Sequence, residues 1–217
     1  MYARRRLIVG ISGATGTIYG VRLLETLRRL GVETHLVVSK AGQLTRAHET
    51  DLSAPDLRGL ADVSYDVADI GAAIASGSFR TLGMVIAPCS MRTLGELASG
   101  VTSSLLTRAA DVVLKERRRL VLLAREFPLH AGHLKNMLAV TEMGAIVAPP
   151  MPAFYTRPAT IDDLVDQTVG RVLDLFDLDS AAFPRWGEHV SLRQPRARAD
   201  VLPHAARAEA DAVPNLN

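Results

Sequence analysis

Cysteine is almost absent from this chain of 217 residues, which contains only Cys89. A single thiol excludes an intrachain disulfide and any metal site built from several cysteines, and it fits a reducing compartment. Aromatic residues make up 5% of the sequence, so the core has to be built from aliphatic side chains. We therefore expect a cytoplasmic protein with an aliphatic core.

Long apolar runs and a strong net charge are also missing. The apolar run at residues 7–11 follows three arginines but stops at Ser12, which is too short for a signal peptide. No run reaches the ~18–20 apolar residues that a membrane span requires. The formal net charge is +2, which is too small to indicate a nucleic-acid partner. We expect neither nucleic acid nor a membrane as a partner.

Short, fully apolar runs alternate with amphipathic stretches along most of the chain. The predicted strands are 7–11, 34–38, 84–87, 120–124 and 145–148, and the predicted helices are 21–30, 40–49, 91–99, 104–117, 131–143 and 161–177. Apolar strands separated by helices predict an α/β fold with a central parallel sheet covered on both faces. Segment 51–82 is less regular and is predicted to lie at one edge. The aperiodic tail predicts one domain at 1–189 and a loose segment at 190–217.

Polar residues follow four of the predicted strands, at 12–16, 39–40, 89–93 and 125–126. Ligands of parallel sheets bind beyond the carboxyl ends of the strands, so these segments form the candidate site. The first has the spacing GxxGxxG at Gly10, Gly13 and Gly16, and Ser39-Lys40 stands where a ribose-binding carboxylate would be expected. Both features count against NAD.

The first polar segment has two interpretations. Glycines allow close approach of a ligand, and a helix N-terminus offers N–H groups to an anion; the alternative is a tight turn with no ligand. Likewise, the hydroxyls of Ser39, Ser90 and Thr93 can donate to a phosphate or cap a helix.

Seven segments carry a resemblance to a known family. They are Gly10-Ile-Ser-Gly-Ala-Thr-Gly16, Ala87-Pro-Cys-Ser-Met91, Arg108-Ala-Ala-Asp111, Lys115-Glu-Arg117, Arg125-Glu126, His133-Leu-Lys-Asn-Met137 and Pro150-Met-Pro-Ala-Phe-Tyr155. In order and spacing, from about residue 7 to Trp186, the chain resembles the UbiX-type flavin prenyltransferases. The subgroup it resembles most is encoded beside aromatic or phenolic acid decarboxylases and is often labelled as a subunit of those enzymes.

The resemblance implies a fold, a cofactor and a reaction. The fold is a Rossmann-like three-layer flavoprotein fold, assembled as a dodecamer built from trimers with active sites at subunit junctions. The enzyme joins a dimethylallyl group from dimethylallyl monophosphate to N5 and C6 of reduced FMN. The product, prenyl-FMN, goes to a UbiD-type decarboxylase that depends on it.

The resemblance also assigns residues to roles. The flavin-contacting positions are Gly13, Ala14, Thr15, Ser39, Ser90, Met91, Arg92, Thr93 and Arg125. The substrate-binding positions are Arg108, Lys115, Tyr155 and Arg171. The catalytic positions are Glu49, Glu126, Lys115 and Trp186. Two departures are Thr15, where many members have Ser, and the bulky Phe127, where Ala or Thr is usual.

These residue types suit the implied chemistry. A monophosphate is a poor leaving group that cations and a proton donor can assist. Glu126 is suited to acid–base work on the phosphate, Glu49 to removing a proton during ring closure, and Trp186 to stabilising an allylic cation.

No metal ion is expected, although residues 162–166 spell DDxxD. Thr160 with Asp163 predicts a capping box instead, and the pair His130 and His133 lacks a third ligand. Cys89 is interpreted as a small packing residue.

Three rival functions are a flavin-dependent cysteine decarboxylase, a non-catalytic FMN-binding subunit or carrier, and direct decarboxylation of aromatic acids.

Overall fold

The computed structural model describes residues 5–180, 183–185 and 187. Six strands run at β1 Arg6–Ile11, β2 Glu33–Val38, β3 Val63–Tyr65, β4 Gly83–Cys89, β5 Arg119–Ala124 and β6 Ile146–Val147. Seven α-helices run at α1 Thr17–Arg29, α2 Lys40–Glu49, α3 Ala54–Gly59, α4 Met91–Ala98, α5 Leu105–Lys115, α6 Ala131–Glu142 and α7 Ile161–Asp174. Two short 3-10 helices lie at Ala73–Ala75 and Phe154–Thr156.

The six strands form one sheet in the order β3-β2-β1-β4-β5-β6, and every pairing is parallel. Alternate side chains of each strand point to opposite faces, so the sheet separates two aliphatic cores. One core packs the sheet against α1, α3 and α7, and the other against α4, α5 and α6. This arrangement confirms the predicted three-layer α/β fold.

Two differences from the sequence prediction concern α1 and β3. Helix α1 begins at Thr17 rather than at residue 21, because Gly16 at its N-cap has a φ of 108° and allows the chain to turn directly into the helix. Strand β3 is absent from the sequence prediction, since it has three half-buried residues and therefore no apolar run. It pairs with β2 at the edge of the sheet, which agrees with the predicted edge position of segment 51–82.

The described residues up to Pro184 belong to one compact unit. The predicted boundary at residue 189 lies outside the described residues and stays a prediction. Within the described part of the chain, no helix is both long enough and apolar enough to cross a bilayer.

Candidate functional site

The strand order places the site at the border between β1 and β4. Strand β1 pairs with β2 on one side and β4 on the other, so the connections after β1 and β4 leave the sheet in opposite directions. A crevice at the carboxyl ends of the strands opens at such a reversal and is where α/β sheets bind ligands. The predicted polar segments after β1, β2, β4 and β5 all lie along this carboxyl edge.

Ser12 joins the two loops that flank this crevice. Its side chain is fully buried, its hydroxyl donates to the carbonyl of Pro88 (3.0 Å), and it accepts the backbone N–H of Ser90 (2.7 Å). Its own N–H also donates to Pro88. The sequence does not predict this role of Ser12, because nothing in the residues around a serine in a glycine-rich loop indicates that it contacts Pro88 and Ser90.

The glycines of the first loop are set by close packing. A Cβ atom on Gly13 would lie 2.3 Å from Cβ of Ala41 in α2, and one on Gly42 would lie 2.7 Å from the carbonyl oxygen of Ile11. Contacts below 3.0 Å force the backbone to shift. These two glycines therefore bring the start of α2 against the loop after β1, so that residues 12–16 and Ser39 lie side by side.

Ser39 and Ser90 cap helices, and the hydroxyl hydrogens of Ser39 and Thr93 are left to donate to a ligand. Ser39 Oγ accepts the N–H of Gly42 at 2.9 Å, and within the described residues its own O–H has no acceptor. Ser90 Oγ accepts the N–H of Thr93 and donates to Thr93 Oγ1 at 3.1 Å. The O–H of Thr93 is then left to donate elsewhere. Both interpretations of these residues are therefore compatible.

Glu49 occupies the N-terminus of α1, which the sequence predicts to be open to an anion. Its carboxylate accepts the N–H groups of Gly16 and Thr17, each at 2.9 Å. Burial by itself raises the pKa of Glu49, but hydrogen bonds from the Thr15 hydroxyl and from these two N–H groups outweigh it, so the pKa lies below the usual value for glutamate. Glu49 is thus ionised at neutral pH. Its carboxylate occupies the positive N-terminal end of α1, where a phosphate would otherwise bind.

The loop after β5 contributes one cation and one carboxylate to the same edge. Arg125 donates its backbone N–H to the carbonyl of Cys89 (3.0 Å), which holds the loop beside the end of β4. The side chains of Arg125 and Glu126 are exposed, and Glu126 Oε1 accepts the N–H of Phe127 (3.2 Å). Phe127 itself is 86% exposed, so its bulk does not displace Glu126 by packing inside this subunit.

The remaining predicted flavin positions lie in the same two loops. Ala14 is half-buried and Thr15 exposed in the first loop. Met91 is half-buried at the start of α4, while Arg92 points outward and pairs with Glu96 (3.0 Å).

The predicted phosphate ligands do not converge inside one subunit. Tyr155 lies in the long connection after β6, at the carboxyl edge. Arg108, near the start of α5, pairs with Asp111. Lys115 ends α5 next to Gly77, which precedes β4, so Lys115 lies at the amino edge of the sheet.

Arg171 also lies towards the amino edge, but on the other face. It is the eleventh residue of α7, roughly 15 Å along the axis from the first at 1.5 Å per residue. Just beyond this helix, Asp177 pairs with Arg119, the first residue of β5. The sheet therefore separates Arg171 from Lys115 within a subunit. Trp186 lies outside the described residues.

The acidic residues of the DDxxD segment have partners that explain them. Asp163 accepts the N–H of Thr160 (2.9 Å), and Thr160 accepts the N–H of Asp163, which confirms the capping box. Asp162 and Asp166 both pair with Arg22 of α1. These contacts dock α7 on α1.

Cys89 is fully buried, and burial raises the pKa of its thiol to about 12. This environment suits the predicted packing residue and opposes a nucleophile.

The rings of His130 and His133 stack with centroids 3.6 Å apart. Nδ1 of His130 accepts the N–H of Gly132 at the start of α6.

Comparisons with known proteins agree with this fold. Residues 1–173 match the model of the family described as Flavoprotein. The chain is 58% identical over 181 residues to the flavin prenyltransferase UbiX of Thauera aromatica, covering 83% of this chain and 93% of the relative.

Two solved structures are similar at the same level. One is AnUbiX (PadA1) in complex with FMN and dimethylallyl pyrophosphate, with a TM-score of 0.84, 54% identity, and coverage of 85% of this chain and 98% of that one. The other is a dodecameric FMN-dependent UbiX-like decarboxylase from Escherichia coli O157:H7. Its TM-score is 0.82 and its identity 54%, and the match covers 83% of this chain and 98% of that one.

The parallel sheet and the polar loops at its carboxyl edge define a flavoprotein. Within that class, the chain belongs to the UbiX-type flavin prenyltransferases.

Proposed function

We propose that this enzyme transfers the dimethylallyl group of dimethylallyl monophosphate to N5 and C6 of reduced FMN, giving prenyl-FMN. The observation that carries the proposal is the convergence of the loops after β1, β2, β4 and β5 at one crevice, where Ser12 and the glycine contacts hold them together. A relative that is 54% identical binds FMN and dimethylallyl pyrophosphate. Reduced FMN supplies the two nucleophilic positions of the reaction.

The donor set fits the phosphate of FMN. Ser39 and Thr93 each have a hydroxyl hydrogen that is free to donate within the described residues, and Arg125 adds a cation from the neighbouring strand end. Because Glu49 already takes the N-terminus of α1, these side chains and the start of α2 are the better candidates to hold the phosphate.

The leaving phosphate calls for cations and a proton donor. Arg125 and Glu126 follow β5 and Tyr155 lies in the connection after β6, so all three lie towards the carboxyl edge, where the ligand would bind. Arg125 would neutralise developing negative charge, and Glu126 would handle the proton of the leaving phosphate. Glu49, ionised through its contacts with α1, is suited to accept a proton rather than to donate one.

Lys115 and Arg171 can join this site only from neighbouring subunits. In one subunit they lie towards the amino edge, on opposite faces of the sheet. Their assignment as phosphate ligands therefore requires a homo-oligomer with active sites at subunit junctions. We propose a dodecamer, the assembly of the relative from Escherichia coli.

The acidic residues of DDxxD are not needed for the reaction. Asp162 and Asp166 pair with Arg22 and Asp163 caps α7, so none of the three presents an uncommitted carboxylate. Direct charge neutralisation by arginine and lysine would serve a monophosphate, and we propose that catalysis needs no metal ion. We also propose a cytoplasmic enzyme that delivers prenyl-FMN to a UbiD-type decarboxylase.

Anaerobic incubation with reduced FMN and dimethylallyl monophosphate tests the function. We expect mass spectrometry to show a flavin enlarged by one five-carbon prenyl unit, and product formed about 10²–10⁴-fold more slowly with the matched variant Glu126→Gln. Flavin that binds tightly but is recovered unchanged would instead favour the non-catalytic carrier. Product formed only from the pyrophosphate ester would contradict the monophosphate assignment.

A further inference from the structure

A second concave site lies on the opposite side of α2 from the flavin loops. It is an open cleft of about 310 Å³ between α2, α3 and the end of β3. We call it the α2–α3 cleft. Its lining includes the polar residues Lys40, Gln43, Arg46, Arg58, Ser64, Tyr65 and Asp66.

The lining is predominantly cationic. Three basic side chains face one carboxylate, and Asp66 is partly committed because its Oδ1 accepts the N–H of Ala68 at 2.8 Å. Among the described residues, Lys40 and Arg58 form no ion pair. Unneutralised cations in a concavity raise the local potential and attract anions.

One of the cations is held in place before any ligand arrives. Arg46 donates Nε–H to Oε1 of Gln43 at 3.0 Å, and its Nη1 donates to the carbonyl of Leu52. The guanidinium is therefore fixed between α2 and the chain leading to α3, with donors left over. Arginine fixed in this way suits phosphate oxygens because its planar donors match their geometry.

Beyond its first residues, α2 presents different faces to this cleft and to the flavin site. Ala41 packs against Gly13 and Glu49 caps α1, whereas Gln43 and Arg46 line the cleft. We propose that the α2–α3 cleft binds the phosphate groups of a small phosphorylated ligand, at a site distinct from both flavin and prenyl donor. Its volume is near the lower end of small-molecule sites, about 300–1,000 Å³, which suits a diphosphate or a small phosphate ester.

Calorimetry on the full-length protein saturated with oxidised FMN and dimethylallyl monophosphate tests the proposal, with inorganic diphosphate as the probe. We expect one bound diphosphate per subunit in excess FMN, and binding about three- to tenfold weaker in Arg58→Gln and in Lys40→Gln, since each loses a charged hydrogen-bond donor. Arg58→Lys should restore part of the affinity. Arg80→Gln, an exposed arginine outside the cleft, should bind like the parent. Thermal unfolding checks that each variant is folded.

Three outcomes would overturn the proposal. Diphosphate could fail to bind at millimolar concentration. Affinity could fall equally in Arg80→Gln, which would indicate general attraction to a basic surface. Binding could survive Arg58→Gln and Lys40→Gln but disappear in Arg125→Gln, which would assign the ion to the prenyl-phosphate site.

Discussion

Replacing Glu49 with Gln tests the cap that this residue places on α1. The parent carboxylate accepts the N–H groups of Gly16 and Thr17 at the positive end of the helix. Hydrogen bonds to charged acceptors are worth about 1.5–3 kcal/mol and neutral ones about 0.5–1.5 kcal/mol, and a charge at an exposed helix terminus contributes about 0.3–1 kcal/mol. A glutamine oxygen keeps part of this interaction. We expect Glu49→Gln to lower the free energy of unfolding by about 1–2 kcal/mol.

Urea unfolding of the FMN-free protein at fixed subunit concentration measures this change, with an unchanged slope as the sign of a simple loss of stability. The matched control is Glu142→Gln, at the exposed end of α6, where we expect a change within about 0.5 kcal/mol. A Glu49→Gln protein as stable as the parent would refute the cap.

The pH dependence gives a second check on the same reasoning. The pKa of Glu49 is lowered in the folded protein from a usual value of 4.5, so its contribution is fully present above that value. It is lost as the pH falls through the folded pKa. The stability difference between parent and Glu49→Gln should therefore be constant near neutral pH and shrink in acid. A difference that persisted in acid would show that the carboxylate charge is not its source.

Four further predictions concern catalysis and the cysteine. Glu126→Gln should keep FMN affinity and lose about 10²–10⁴-fold in turnover measured anaerobically; near-normal turnover would remove Glu126 from the mechanism. Trp186→Ala should impair prenyl transfer in the same assay while leaving FMN affinity nearly intact, and unchanged kinetics would contradict its assignment. Full turnover is expected in excess EDTA, and Asp162→Asn should lose less than about 1 kcal/mol of stability because that aspartate is largely exposed; restoration of a lost activity by Mg²⁺ would instead support a metal clamp. At pH 8, a pKa of about 12 leaves roughly one thiolate in ten thousand, so Cys89 should resist iodoacetamide in the native protein and react after unfolding; rapid native labelling would contradict its burial.

The predicted fold rests on strands whose side chains are apolar on both faces. Such runs can be stable only inside a parallel sheet covered by helices, and this is why β1, β2, β4 and β5 are recognisable from the sequence. Strand β3 escapes prediction because Val63, Ser64 and Tyr65 are half-buried at the sheet edge, where an apolar run is not required. The capping box of Thr160 and Asp163 is also predictable, since both partners lie within one helical turn.

The sequence by itself determined the layered α/β architecture, the polar loops at the strand ends and the membership of the flavin prenyltransferases, because each depends on local pattern or ordered motifs. Only the tertiary structure decided that Glu49 caps α1 from 33 residues away and that Ser12 joins two loops 76 residues apart. It also decided that Lys115 and Arg171 lie on opposite faces of the sheet. A hydrogen bond between distant segments depends on how the strands are ordered, and nothing in the residues around either partner records that order.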